Sequence, residues 1–155
     1  MTNSKILANR LREVILNGTW IANTNFKDQL EDVNWKVATT EHQSLNTISI
    51  LAQHIHYYIN GVKNAFLKGK LDIKDKYSFD FPEIASQAEW KAFLNIFWKD
   101  TEELAKHIEK FDDEQLKLSF VEKKYGTNCQ NINALIEHAY YHLGQIVLIK
   151  KQINQ

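Results

Sequence analysis

The long periodic stretches of the chain repeat apolar residues at helical spacing rather than in strict alternation. The clearest runs from about Leu45 to Lys68, where Ile48, Leu51, Ile55, Tyr58, Ile59, Val62 and Phe66 form one stripe and Gly69 supplies a stop. A first helix is predicted over Ser4 to Asn17, with Ile6, Leu7, Leu11, Val14 and Ile15 on its apolar side and Gly18 after it. A third opens at Ser86 and Glu89, the S-x-x-E of a capping box, and runs to about Lys110. A fourth spans about Asn131 to Gln152. Between them the pattern predicts a short helix near Phe26 to Val33, loops at LDIKDKYSFDFPEIA and VEKKYGTNCQN, and one turn within FDDEQLKLSF. Each long helix has one apolar stripe to hide. Packing those stripes together predicts an all-α domain over residues 1–155, built as a four-helix bundle.

Composition narrows the class of function. A chain of 155 residues buries a substantial core without disulfides or a structural metal, so a metal is not needed for folding. Lys and Arg (19) balance Asp and Glu (19), and no basic tract occurs, which argues against nucleic acid as a partner. The N-terminal stretch MTNSKILANRLREVIL is amphipathic and lacks the apolar run and small-residue cleavage site expected of a secretory leader, and no apolar run approaches a membrane span. A cytoplasmic protein is expected. The single Cys129 fits a reducing compartment and lies in a loop before the last helix, where it reads as an incidental thiol.

The polar residues that interrupt the apolar stripes are mostly histidines. With His138 placed at zero on a helical wheel, Leu135, Ala139, Ile146, Ile132 and Leu143 cover about 60 to 140°. His142 falls at about 40° and Gln145 at about −20°, so the three form a polar edge beside the buried face. On the second helix, His54 stands at the equivalent edge of its own stripe, whereas His56 is turned away by about 200°. If those two edges face each other, His54 joins His138 and His142. Three neutral imidazoles from two helices make a catalytic metal site with positions left for water or substrate, and Gln145 is placed to orient a ligand. The other reading is a set of partly buried histidines satisfied by hydroxyls, carbonyls or water. Six histidines in 155 residues give about 0.2 chance H-x-x-x-H pairs, so the pair alone does not decide.

Gln53-His54-Ile55, together with H-x-x-x-H-x-G-Q from His138 to Gln145, resembles the DinB-like (YfiT-like) superfamily of four-helix metalloproteins. The tracts NTISILAQHIHYYINGVKN and KYGTN look like one branch of it, and the resemblance covers about residues 3 to 152. It implies an up-down-down-up bundle, a homodimer, and zinc, nickel or another divalent ion held by His54, His138 and His142. It also implies a metal-dependent hydrolase, or an S-transferase using a low-molecular-weight thiol such as bacillithiol, in which the ion activates water or the thiol. One departure limits it: relatives often carry H-x-x-H-H-R-G-Q, and here Tyr141 precedes His142 and Leu143 follows it. The ligand positions survive, but a basic side chain for an anionic substrate is missing.

Tyr58 and Tyr141 are candidates to line the pocket, beside a simpler role in packing together with Tyr57 and Tyr140. Trp20, Trp35, Trp90 and Trp98 read as core or interface residues, and His42 and His107 as surface residues. The charged run LDIKDKYSFD reads as a solvated loop positioned to border a pocket. With neither Glu-x-x-His nor H-E-x-x-H present, di-iron carboxylate bundles and the commonest zinc proteases are set aside. The competing class of function is a non-catalytic helical bundle that binds a small molecule or a protein, any metal being structural or adventitious.

Overall fold

The computed structural model describes residues 2–154, and among them the chain is helical with no β-strand. Seven α-helices follow in order: α1 (Asn3–Arg12), α2 (Phe26–Leu30), α3 (Trp35–Ala38), α4 (Ile48–Lys68), α5 (Gln87–Ile108), α6 (Asp113–Lys117) and α7 (Asn128–Ile153). The long ones carry the core. α1 packs on α5 and α7, and α4 packs on the same two, so each long helix has two long neighbours. Leu11 from α1, Val14 and Ile15 from the turn that continues it, Ile55 and Ile59 from α4, Phe97 and Leu104 from α5, and Ile132 and Ile146 from α7 are wholly enclosed. Each such side chain contributes about 1.5–3 kcal/mol through burial.

Several boundaries differ from those the apolar spacing predicts. The first helix does reach Asn17, but its last turn, Glu13–Asn17, is π-helical and closes on a Gly18 N–H to Glu13 carbonyl bond of 3.1 Å. A Cβ on Gly18 would lie 2.0 Å from Glu13 Cγ, so the wide turn depends on glycine there. Ile6, assigned to the apolar stripe, is 43% exposed. The short helix α2 ends at Leu30 rather than Val33, and α3 follows after Asn34 caps it.

α4 begins three residues later than Leu45, because the Thr47 hydroxyl accepts from Ile50 N–H and fixes the start. Its stop is as expected: Gly69 takes φ 72°, a left-handed conformation that glycine adopts without cost. α5 opens on Ser86, whose hydroxyl accepts from Glu89 N–H, but the Glu89 carboxylate accepts from Ala85 N–H and not from Ser86. α7 begins three residues before Asn131. The cause is a reciprocal capping box between Thr127 and Gln130, a T-x-x-Q that serves as well as S-x-x-E. Cys129 is therefore in the first turn of α7 and not in a loop.

The connections are held by specific bonds. The buried Trp90 indole N–H donates to the Val33 carbonyl (3.0 Å), and Trp35 N–H donates to Gln87 Oε1 (2.8 Å), tying the α2–α3 segment to the start of α5. Among the described residues no helix is long and apolar enough to cross a membrane.

Candidate metal centre

α4 and α7 lie side by side, and their contact brings His54 to His138 and His142. The i, i+4 spacing places the two α7 rings one turn apart on one face, with centroids 4.6 Å apart. His138 Nε2 is 3.1 Å from His54 Nε2 and 2.9 Å from His142 Nε2. For comparison, ligand nitrogens about 2.0–2.1 Å from a tetrahedral zinc stand about 3.3 Å apart.

The outer nitrogens decide what the inner ones present. His54 Nδ1 is 2.7 Å from the Ser78 carbonyl oxygen, which only accepts, so Nδ1 carries the proton and Nε2 presents a lone pair. His142 Nδ1 donates to Gln145 Oε1 at 2.6 Å, while the Gln145 amide donates to Tyr141 Oη at 3.4 Å. His142 Nε2 therefore also presents a lone pair. Both point at His138 Nε2, which as a neutral ring offers them at most one proton. At least one close nitrogen pair is left without a hydrogen bond, and a cation between the three nitrogens removes that conflict. The donor set and its outer partners fit a divalent ion.

Burial and crowding keep the rings neutral. Burial first, then the neighbouring His142 and His54, lowers His138 to about 4. Burial likewise lowers His54 and His142 against the opposing effects of the Ser78 and Gln145 bonds. Among the described residues, no Lys or Arg contributes to any of these three shifts, and the one carboxylate that does is Asp75.

A consequence follows for the metal-free protein. Unfolded histidine takes up its proton near 6.5, whereas folded His138 does so only near 4, so below 6.5 the unfolded chain binds more protons. The stability of the metal-free protein is expected to fall as pH drops from about 6.5 toward 4. Melting temperatures of wild type and His138→Asn across pH 7 to 4.5 check this; equal slopes for the two proteins would contradict it.

The loop read as solvated supplies much of the enclosure. Its Asp75–Tyr77 turn and Ser78 lie against α4: Phe79 stacks on the His54 ring at 3.9 Å, and Asp75 Oδ1 accepts from Tyr58 Oη at 2.9 Å. Tyr58 turns its edge to both His54 and His138, with centroids 5.1 and 5.2 Å away. Tyr57 Oη bonds both the N–H and the carbonyl of Lys74, and Ile73 fills the space where a Cβ on Gly61 would be. Tyr141, 63% exposed, leans its ring edge on His142 at 4.9 Å. Ser78, Phe79 and Asp75 were not singled out from the sequence. The one available signal was the loop's position directly after the helix that carries His54.

Two other histidines differ from expectation. His56 is turned from the α7 side, as the wheel indicates, but it is not free: Nε2 meets Asp100 Oδ2 on α5 at 2.7 Å, and Lys63 Nζ binds the other carboxylate oxygen. Burial works to raise the Asp100 carboxyl, yet Lys63 and His56 outweigh it and hold it below its ordinary value. His107 is half-buried and stacks on Phe66 at 5.8 Å, so it is a packing residue and not a surface one.

Fold and site together define an all-helical protein with a three-histidine cluster suited to a metal ion. The sequence of residues 10–155 matches the family described as protein of unknown function DUF1572, and the chain belongs to that family. It has no significant match among curated proteins or among solved structures.

Proposed function

We propose that this is a DinB-like metalloprotein holding one zinc or nickel ion on His54, His138 and His142, and that the centre serves a metal-dependent hydrolase or thiol-dependent S-transferase. The observation that carries the reading is the convergence of three Nε2 atoms, two of them fixed as lone-pair donors by Ser78 and Gln145. The resemblance of Gln53-His54-Ile55 and H-x-x-x-H-x-G-Q to DinB-like proteins supports it, as does the mutual packing of α1, α4, α5 and α7. An up-down-down-up bundle, a homodimer and a cytoplasmic location belong to the same reading.

A divalent ion bound there supplies Lewis acidity and draws down the pKa of a bound water or thiol. The chain's own residues do the rest. Ser78 and Gln145 hold the ligand rings in orientation, Phe79 covers one face of His54, and Tyr58 packs its ring against His54 and His138 while its hydroxyl donates to Asp75. The charge around the centre favours hydrolysis of a neutral substrate over use of an anionic thiol such as bacillithiol. Among the described residues no Lys or Arg acts on the three rings, Leu143 stands where DinB-like proteins often have Arg, and the near charge is the carboxylate of Asp75.

The rival reading is a non-catalytic binding bundle. Zinc-loaded and nickel-loaded protein is expected to hydrolyse a member of a panel of neutral esters and amides, with the activity lost in His138→Ala and reduced in Tyr58→Phe. Turnover of bacillithiol with electrophiles instead would move the assignment to the transferase. No turnover in either assay, with the ion bound, supports the binder.

A further inference from the structure

A second site lies on the other side of His54's helix from Tyr58. The side chains of Trp35 on α3, Thr47, Ser49, Ile50 and Gln53 at the start of α4, and Glu83 with Ile84 before α5 enclose a cleft of about 480 Å³. Three separate segments build it, and two of them are fixed against each other by the Trp35 to Gln87 and Trp90 to Val33 bonds. Its size falls within the range of small-molecule sites.

The polar groups in it are unbalanced. Gln53 is 8% exposed, and its amide donates to the Ser49 carbonyl at 3.3 Å, which leaves Oε1 as an acceptor with no donor among the described residues. The Thr47 hydroxyl already accepts from Ile50 N–H and shares one bond with the buried Ser49 hydroxyl. Glu41 and Glu83 stand at the exposed rim, and among the described residues neither has a cationic partner. Trp35 with Ile50 and Ile84 supplies an aromatic and aliphatic wall, and although Lys36 Nζ stands 6.0 Å from the Trp35 ring centroid, the two rim carboxylates outnumber that one cation.

We propose that this cleft binds a small organic ammonium compound, its charged head directed to Glu41, Glu83 and Gln53 Oε1 and its apolar body laid against Trp35. An anion is disfavoured by the two carboxylates, and a purely apolar ligand would leave Gln53 Oε1 without a donor. The site is independent of the three-histidine centre, since none of its lining residues ligates there.

Titration of the protein with 2-phenylethylamine, followed by amide and side-chain NMR shifts, tests this. Saturable shifts are expected at the Trp35 indole N–H, the Gln53 carboxamide and the backbone of Thr47 to Ile50, with none from phenylacetate. The double variant Glu41→Gln, Glu83→Gln, altered only at exposed positions, is expected to weaken binding about fivefold. Trp35→Ala is expected to weaken it about tenfold. His138→Ala is expected to bind as wild type does. Shifts centred on α7, equal response to phenylacetate, unchanged affinity in the double Gln variant, or no saturable shift at these groups overturns the proposal.

Discussion

One zinc ion per chain is the expected result when untagged protein is loaded with metal, dialysed and analysed, and none in His54→Ala, His138→Ala or His142→Ala. Each alanine removes one of three convergent nitrogens and leaves two, which is too few to hold an ion against dialysis. Binding to the folded chain alone also stabilises it. At free zinc about 100 times the dissociation constant, the gain is about 2.7 kcal/mol, and for a chain of this size the melting temperature rises by roughly 5–10 °C. The rise is expected in wild type and absent in the three variants.

Gln145→Leu distinguishes a prepared site from a chance cluster. It removes the acceptor that fixes the His142 tautomer and leaves all three ligands in place, so affinity is expected to drop about 10- to 100-fold with stoichiometry kept at high zinc. Equal trace metal in wild type and in every alanine variant, with circular dichroism showing all of them helical, would sink the metal reading.

The helical wheel chose His54 over His56 and grouped His138, His142 and Gln145, and the structure brings His54, His138 and His142 together with Gln145 on His142. Those choices were legible because they depend only on the fixed angle per residue within a helix. That α4 and α7 pack with these edges facing was a condition the spacing does not contain, and it is met by burial of both apolar stripes against each other.

What stayed hidden involves partners distant in sequence. The Ser78 carbonyl acts through its backbone, so no side chain advertises it, and Phe79 reads as one more aromatic in a charged loop. His56 shows a similar limit. Its angle says which way it points, but not that Asp100, 44 positions on, waits there with Lys63. Cap chemistry was partly readable: Thr127 and Gln130 form the reciprocal pair that moves the start of α7 forward, whereas Ser86 and Glu89 match the same motif and complete only half of it.

Trp90→Ala is expected to be the most damaging single substitution for stability. The side chain is fully buried, stacks on Phe93 at 5.6 Å and donates its N–H to the Val33 carbonyl. Truncation leaves a cavity of nearly the whole indole and costs about 3–5 kcal/mol, which lowers the melting temperature by roughly 6 to 20 °C. Trp90→Phe separates the two contributions: most of the ring volume stays, while the Val33 carbonyl loses its donor, at a cost of about 1–3 kcal/mol. If Phe proves as harmful as Ala, the hydrogen bond and not the packing holds the α2–α3 segment onto α5. Trp90 makes no ring contact with His54, His138 or His142. Zinc stoichiometry in Trp90→Phe is therefore expected to match wild type at temperatures where the variant is folded. By contrast, Val33 precedes Trp35 by only two residues, so the same variant is expected to weaken amine binding in the cleft while the metal centre stays intact. Calorimetry with zinc and with 2-phenylethylamine on one preparation checks both, and parallel loss of the two would show that Trp90 acts on the whole fold and not on its own segment.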